Sequence, residues 1–259
     1  MTATTIDPER ASAGASGRYG YVWLAGLCVF IALAGFAPTF WLPMAAHKFQ
    51  ANPIVYVHGF WMTGWTFFLL YQAWLAASGN VRRHRAVGMI GVSYFTALFI
   101  FAMLIAMNSV RVAPAIYHEN ALKFLIVSLS GFLYVLPAMI LAFANTHRPE
   151  VHKRLIFTST LFMLEAAVGR WFLLFLAPPP DPNAAPGAPP PVMVALGPGI
   201  VVDLIMIGLM VADWRTRGKA HPVYLISLPI IAALQLLQVP VSNTGAWLSF
   251  AEWFVRLAG

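Results

Sequence analysis

The sequence predicts an all-α, polytopic transmembrane helix bundle of about seven spans, followed by a short amphipathic C-terminal helix. Three observations carry this. Hydrophobic residues make up 60% of the 259-residue chain and charged residues only 10%, whereas a soluble domain carries about a quarter charged residues. Too little polar surface remains to cover a water-soluble globule. The apolar residues form continuous runs of helix-spanning length, not the alternating pattern of a membrane β-strand. Lys and Arg, finally, fall mostly in alternate connecting loops.

Taken in order, residues 1–20 (MTATTIDPERASAGASGRYG) are polar and rich in small residues, and they read as a disordered cytoplasmic tail. The stretch lacks the basic start and immediate apolar core of a cleaved signal peptide. The expected spans are Tyr21–Pro43, Ile54–Ser78, Ala86–Asn108, Ala121–Asn145, Leu155–Ala177, Val192–Ala212 and Val223–Val239. Together they make a membrane domain over 21–240, and in lipid only helix satisfies such backbone. Residues 178–191, PPPDPNAAPGAPPP, are dominated by proline and read as an extended outer strap. Pro229 lies inside span seven, where a kink is expected. In the segment 241–259, Trp247, Phe250, Ala251, Phe254 and Leu257 share one helical face. That pattern suits a helix lying in the outer interface or tucked against the bundle.

The loops after spans two, four and six carry Arg82, Arg83, Arg85, Arg148, Lys153, Arg154, Arg215, Arg217 and Lys219, and the tail adds Arg10 and Arg18. The opposite side has only Lys48, Arg111, Lys123 and Arg256. This asymmetry places the N-terminus in the cytoplasm and the C-terminus outside, in a bacterial inner membrane. It also explains the net charge of +7 as topology and contact with anionic lipid. Nucleic acid is not implied, since no basic face is interleaved with aromatics on a soluble domain. Cys28 is the only cysteine, which excludes an intrachain disulfide and a cysteine metal cluster.

Three ionisable residues fall deep within spans: Glu165, Arg170 and Asp203. Charges at that depth are costly unless paired or hydrated, and they mark candidate sites. Glu165 and Arg170 are five residues apart, so they diverge by about 140° on a helix. Depth counted from the outer ends favours an Arg170–Asp203 pair, with Glu165 facing another helix. This trio forms the expected intramembrane polar site. Gln72, Gln235, Gln238, Ser93 and Thr96 are further candidates for its lining.

The histidines sit at or near span ends. His84, His152 and His221 lie at helix N-termini among Arg and Lys, where the helix dipole favours anions over a metal cation. Arg83, His84, Arg85, His152, Lys153 and Arg154 are therefore expected to contact anionic headgroups. On the outer side, His58 and His118 are candidate ligands of a haem b or, with Glu119, of a metal ion. The alternative is that both are interfacial histidines beside an aromatic belt of Tyr56, Trp61 and Trp65.

The stretch HGFWMTGWTFFLLYQAWLAASGNVRRHRAVG, with its H-G-x-x-M-x-x-W span and following H-R-x-x-G, resembles a group of bacterial multi-pass membrane proteins. The later HRPEVHKRL and TGAWLSFAEW extend that likeness over most of the chain. Over about residues 58–88 the chain is also distantly similar to cytochrome b561-like membrane haem proteins. That second likeness implies histidine-ligated haem, but only His58 falls at a matching position. Seven-span zinc hydrolases are excluded, because span seven carries no histidine pair. No nucleophile–base pair, P-loop or dinucleotide fingerprint appears.

The expected function is the binding of a small ligand or cofactor in a polar intramembrane site, with haem- or quinone-linked electron transfer as its use. A non-catalytic transporter-like or accessory subunit stands beside it, binding lipid or a partner protein through the proline-rich strap or the C-terminal helix.

Overall fold

A computed structural model describes residues 8–176 and 188–257 of the chain, and every described element is helical. The order is α1 (Pro8–Phe36), a wide π turn (Ala37–Trp41), α2 (Leu42–Ala45), α3 (Pro53–Ala77) and α4 (Val81–Arg111). Then come α5 (His118–Ala144), α6 (Pro149–Met163), α7 (Glu165–Phe175), α8 (Leu196–Arg217), α9 (Pro222–Ser242) and α10 (Gly245–Arg256). Single 3₁₀ turns, Ala115–Tyr117 and Val192–Ala195, lead into α5 and α8.

Six stretches are long and apolar enough to cross a membrane: Tyr19–Ala45, Val81–Arg111, Ala115–Ala144, Pro149–Phe175, Val192–Arg217 and Pro222–Ser242. Helix α3, with 25 residues, is long enough. Its Trp, Tyr, Thr and Gln content dilutes its apolar character, yet it packs between α1 and α4 as a full member of the bundle. Large apolar side chains such as Trp23, Phe30, Met89, Ile100, Leu133, Leu204 and Leu236 point outward and stay exposed. A bundle that turns its hydrophobes outward is built for lipid.

Neighbour relations define a ring that runs α1–α3–α4–α5–α9–α8–α7 and back to α1. Helix α6 lies within it and touches α5, α8 and α9, while Phe157 meets Tyr21 of α1 with ring centroids 5.1 Å apart. No residue from Glu150 to Glu165 is exposed. A helix buried all round has only the protein to satisfy its polar side chains, and on α6 two threonines are met while Ser159 Oγ is not. Trp65 Nε1 donates to Thr160 Oγ1 at 3.1 Å, and Tyr134 Oη donates to Thr158 Oγ1 at 2.7 Å. Helices α3 and α4 are joined by a reciprocal pair: Tyr94 Oη donates to the Trp61 carbonyl and Trp61 Nε1 to the Tyr94 carbonyl.

The end of the bundle bearing the Arg-rich loops is fastened by an ion network. Arg154 on α6 has no exposed side-chain surface. Its Nε donates to Asp213 Oδ2 on α8 at 2.9 Å, and Nη2 reaches both Asp213 oxygens at 2.6 Å. Nη1 binds Glu150, which also takes Lys153 and Arg217. The guanidinium lies 5.6 Å from the Tyr224 ring of α9. One buried cation thus ties α6, α8 and α9 together.

Several expectations need correction. The helices overrun the expected spans at the basic end, because charged turns continue a helix into the headgroup layer without penalty. Gly79 and Gly218, both at positive φ, then end α3 and α8. Helix α1 is already formed at Pro8, so residues 8–20 are not an irregular tail. Pro8 suits the first helical position and the following Glu, Arg and Ala are good helix formers. Span five is two helices, not one, with a tight break at Leu164 (φ −75°, ψ −7°). The proline-rich strap lies largely outside the described residues.

Helix α10 docks on the ends of α4 and α5, burying Ala251, Phe254 and Val255, while Phe250 and Leu257 of the expected apolar face stay exposed. Trp247 Nε1 donates to the Leu122 carbonyl at 2.9 Å.

Replacing Asp213 by Leu strands a buried guanidinium. The expected loss is on the order of 3 kcal/mol, read as a lower unfolding temperature in micelles, and Arg154→Met on that background should recover most of it.

Candidate functional site

The break at Leu164 opens an internal space in the bundle. Up to Met163 the chain occupies the centre of the ring; from Glu165 onward it joins the wall between α1 and α8. The crossing with α1 is close, since a Cβ on Gly35 would lie 2.5 Å from the Ala167 carbonyl oxygen. Leaving the centre vacates the half of the bundle opposite the basic end, and a cavity of about 710 Å³ results.

Its lining is divided. Helices α4 and α5 contribute Phe95, Leu98, Phe99, Ala102, Phe132 and Val135, a mostly apolar wall that also includes Asn108, Ser109 and Ser128. The facing side is mixed: Thr39 and Phe40 from the π turn, His58, Thr63 and Thr66 from α3, and Glu165 and Arg170 from α7. The π turn follows from Pro38, which lacks the N–H that would continue α1. Two of these residues carry a side-chain atom, His58 Nδ1 and Thr39 Oγ1, that has almost no accessible surface and no hydrogen-bond partner. Most buried polar atoms in native proteins are paired, so such atoms require an explanation.

The expected intramembrane trio is only partly assembled. Among the described residues no ion pair joins Arg170 to Asp203. Gln235 of α9 intervenes, donating from Nε2 to Glu165 Oε1 at 2.6 Å and to Asp203 Oδ1 at 3.5 Å. A primary amide has two N–H groups and so serves two carboxyl oxygens from one nitrogen. Room for that amide comes from Gly199, where a Cβ would stand 2.9 Å from the Gln235 amide. Arg170 turns away and lies over the Phe36 ring at 5.5 Å while lining the cavity. Of the other expected lining residues, Gln238 is spent on Ser130 at 2.8 Å. Ser93 and Thr96 face outward, and Thr96 bonds back to its own helix. Gln72 is buried near the basic end with both amide atoms unpartnered.

The histidines separate. His58 lines the cavity; His118 does not, and its Nε2 lies 2.8 Å from Glu252 Oε1, linking α5 to α10. The Glu119 carboxylate pairs with Lys123. The residues therefore do not fit a haem held between His58 and His118, nor a metal ion held with Glu119. Among the described residues no group of three or more His, Cys, Asp or Glu side chains is placed to hold a metal ion.

At the basic end, His84 Nδ1 meets the Gln72 carbonyl at 3.2 Å and His152 Nδ1 meets the Ala142 carbonyl at 2.8 Å. Carbonyls only accept, so each Nδ1 carries its proton. His221 uses its own Nδ1 to accept from the Val223 N–H, capping α9, and burial holds its pKa below the ordinary imidazole value. Arg83 and Arg85 are exposed. Lys153 binds Glu150 and covers the Tyr21 ring at 4.6 Å. Arg154, expected at the headgroups, is buried and committed to Asp213 and Glu150. That is a correction: its charge is met inside the protein.

No protein-family model, no curated protein and no solved structure matches this chain.

Gln235→Leu deprives both carboxyl groups of their shared donor and should cost about 1–3 kcal/mol of stability. Gly199→Ala, which crowds the same amide, should lower the unfolding temperature in the same direction. Gly208→Ala, with open space around its position, should leave it unchanged.

Proposed function

We propose that this chain is an integral membrane protein that binds one amphiphilic small molecule in the central cavity beyond Leu164. One observation carries the reading: a volume of about 710 Å³ with a mostly apolar wall on α4 and α5 and a facing wall that bears His58, Thr39, Glu165 and Arg170. Ligand pockets are typically 300–1,000 Å³, mostly apolar, with a few placed polar groups. A lipid-like molecule fits both walls, its chain against the phenylalanines and its head against α1, α3 and α7. The reading is one of binding, and electron transfer is no part of it.

In this reading the basic end faces the cytoplasm and the cavity lies in the outer half of an inner membrane. Support comes from the one-sided Lys and Arg distribution. Arg83 and Arg85, exposed beside the α4 N-terminus, then meet anionic headgroups.

Two experiments test it. Ala102→Trp projects an indole into the cavity and should abolish recovery of a stoichiometric organic-extractable molecule with the purified protein, leaving the fold intact. Equal recovery from both proteins contradicts the reading. For the orientation, single cysteines at Ala51 and Ser78 in a Cys28→Ser background should differ toward an impermeant maleimide applied to spheroplasts. Labelling is expected at residue 51 alone, and labelling at residue 78 alone reverses the assignment.

A further inference from the structure

We infer that the head of the bound amphiphile is an anion, a carboxylate or a phosphate, held by the Arg170 guanidinium. The inference rests on the cavity reading above and names the chemical class of its occupant. Arg170 is presented to the space. Ala166, Gly169, Arg170 and Leu173 all line the cavity, and their helical spacing makes them one face of α7. Ala166 and Arg170 are exposed on that face, so the surface they expose opens into the cavity. Neither Ala166 nor Gly169 has a side chain long enough to cover the guanidinium.

The charge on Arg170 is left unanswered. Its guanidinium lies 5.5 Å from the Phe36 ring, which attracts a cation but supplies no counter-charge. Among the described residues no ion pair engages it. A charge at this depth is costly unless paired or hydrated, and a guanidinium cannot escape that cost by losing its proton.

Glu165 lines the same cavity, yet the two charges are not equivalent. Glu165 Oε1 already accepts from Gln235 Nε2 at 2.6 Å, across on α9. A carboxyl can also become neutral by taking up a proton, a route closed to Arg170. The cavity thus offers one permanent and accessible cation. An ammonium head would be repelled by it, and an alcohol head would leave it without a counter-charge. The planar fork of a guanidinium matches paired carboxylate or phosphate oxygens. Phe95, Phe99 and Phe132 on the opposite wall take the hydrocarbon chain.

The test uses the full chain in uncharged detergent micelles with four probes of equal chain length: laurate, dodecyl phosphate, dodecanol and dodecyltrimethylammonium. Calorimetric titration should give saturable 1:1 binding of an anionic probe, at least tenfold tighter than dodecanol or dodecyltrimethylammonium. The tighter of the two anions tells a carboxylate head from a phosphate head. Arg170→Gln should weaken that anion by about 10- to 100-fold, the worth of a charge-assisted hydrogen bond, and leave dodecanol unchanged. Arg170→Lys keeps the charge but loses the fork, so its affinity should fall between. Without ligand, Arg170→Gln should unfold at the same temperature as the parent or higher, since it removes an unanswered charge. Dodecanol or dodecyltrimethylammonium binding as tightly as the anions, with every probe blocked by Ala102→Trp, overturns the head-group assignment and leaves the cavity reading standing. Titrations that show no saturable binding, or that Ala102→Trp leaves unchanged, overturn both. An Arg170→Gln protein that is destabilised without ligand and binds the anions as before overturns the role given to Arg170.

Discussion

Helix α6 has no face to offer lipid, and the other helices are arranged around that constraint. A helix enclosed on every side must meet most of its polar groups inside the protein, although Ser159 Oγ on α6 is left without a partner. Each hydroxyl of the Thr158 and Thr160 positions is answered by an aromatic donor from α5 or α3, and the Arg154 guanidinium by Asp213 and Glu150. These contacts are directional, so they set the rotation of α3, α5, α8 and α9 about the centre. Hydrophobic contact alone gives little preference between a protein neighbour and a lipid tail. Hydrogen bonds and close packing therefore decide which helices adjoin.

The cavity follows from where this enclosure stops. At Leu164 the chain leaves the axis, and Gly35 lets α7 close onto α1. The space left behind would collapse if its walls were small and flexible. Large aromatic and branched residues on α1, α3, α4, α5 and α7 hold it open instead. The polar groups of α7 consequently fall into two sets. Glu165 shares Gln235 with Asp203 and faces the α8–α9 side, while Arg170 is laid over Phe36. The charged residues most out of place in the sequence thus mark the seam between the ring wall and the cavity.

Much of the fold was legible because membrane insertion is written in composition and in long apolar runs. The break at Leu164 was not. Nothing in FMLEAAV departs from helix-forming composition, and a tertiary contact at Gly35 directs the chain there. The Arg154–Asp213 pair was missed for a related reason. Both residues lie at span ends, where a charge reads as solvated, and only the packing of α6 inside the ring buries them. Glu165 and Arg170 were found because charges in apolar runs stand out. Gln235 was noticed but its role was not, since an amide reads equally well as a buried hydrogen bond. His58 and His118 share a side of the bundle, but their helices face different neighbours, which a one-dimensional pattern does not carry. Thr39 gave no signal at all; its position depends on the wide turn that Pro38 induces.

The central claim is that the α6 axis is abandoned at Leu164 so that a membrane-soluble molecule can occupy the vacated half. A density map of the protein extracted directly into nanodiscs with its native lipids tests this most directly. The account predicts two helices offset at Leu164 and elongated non-protein density between Phe99 and His58, its wider end toward Thr39. A straight, continuous helix from Pro149 to Phe175 with its side chains filling the bundle centre would contradict it.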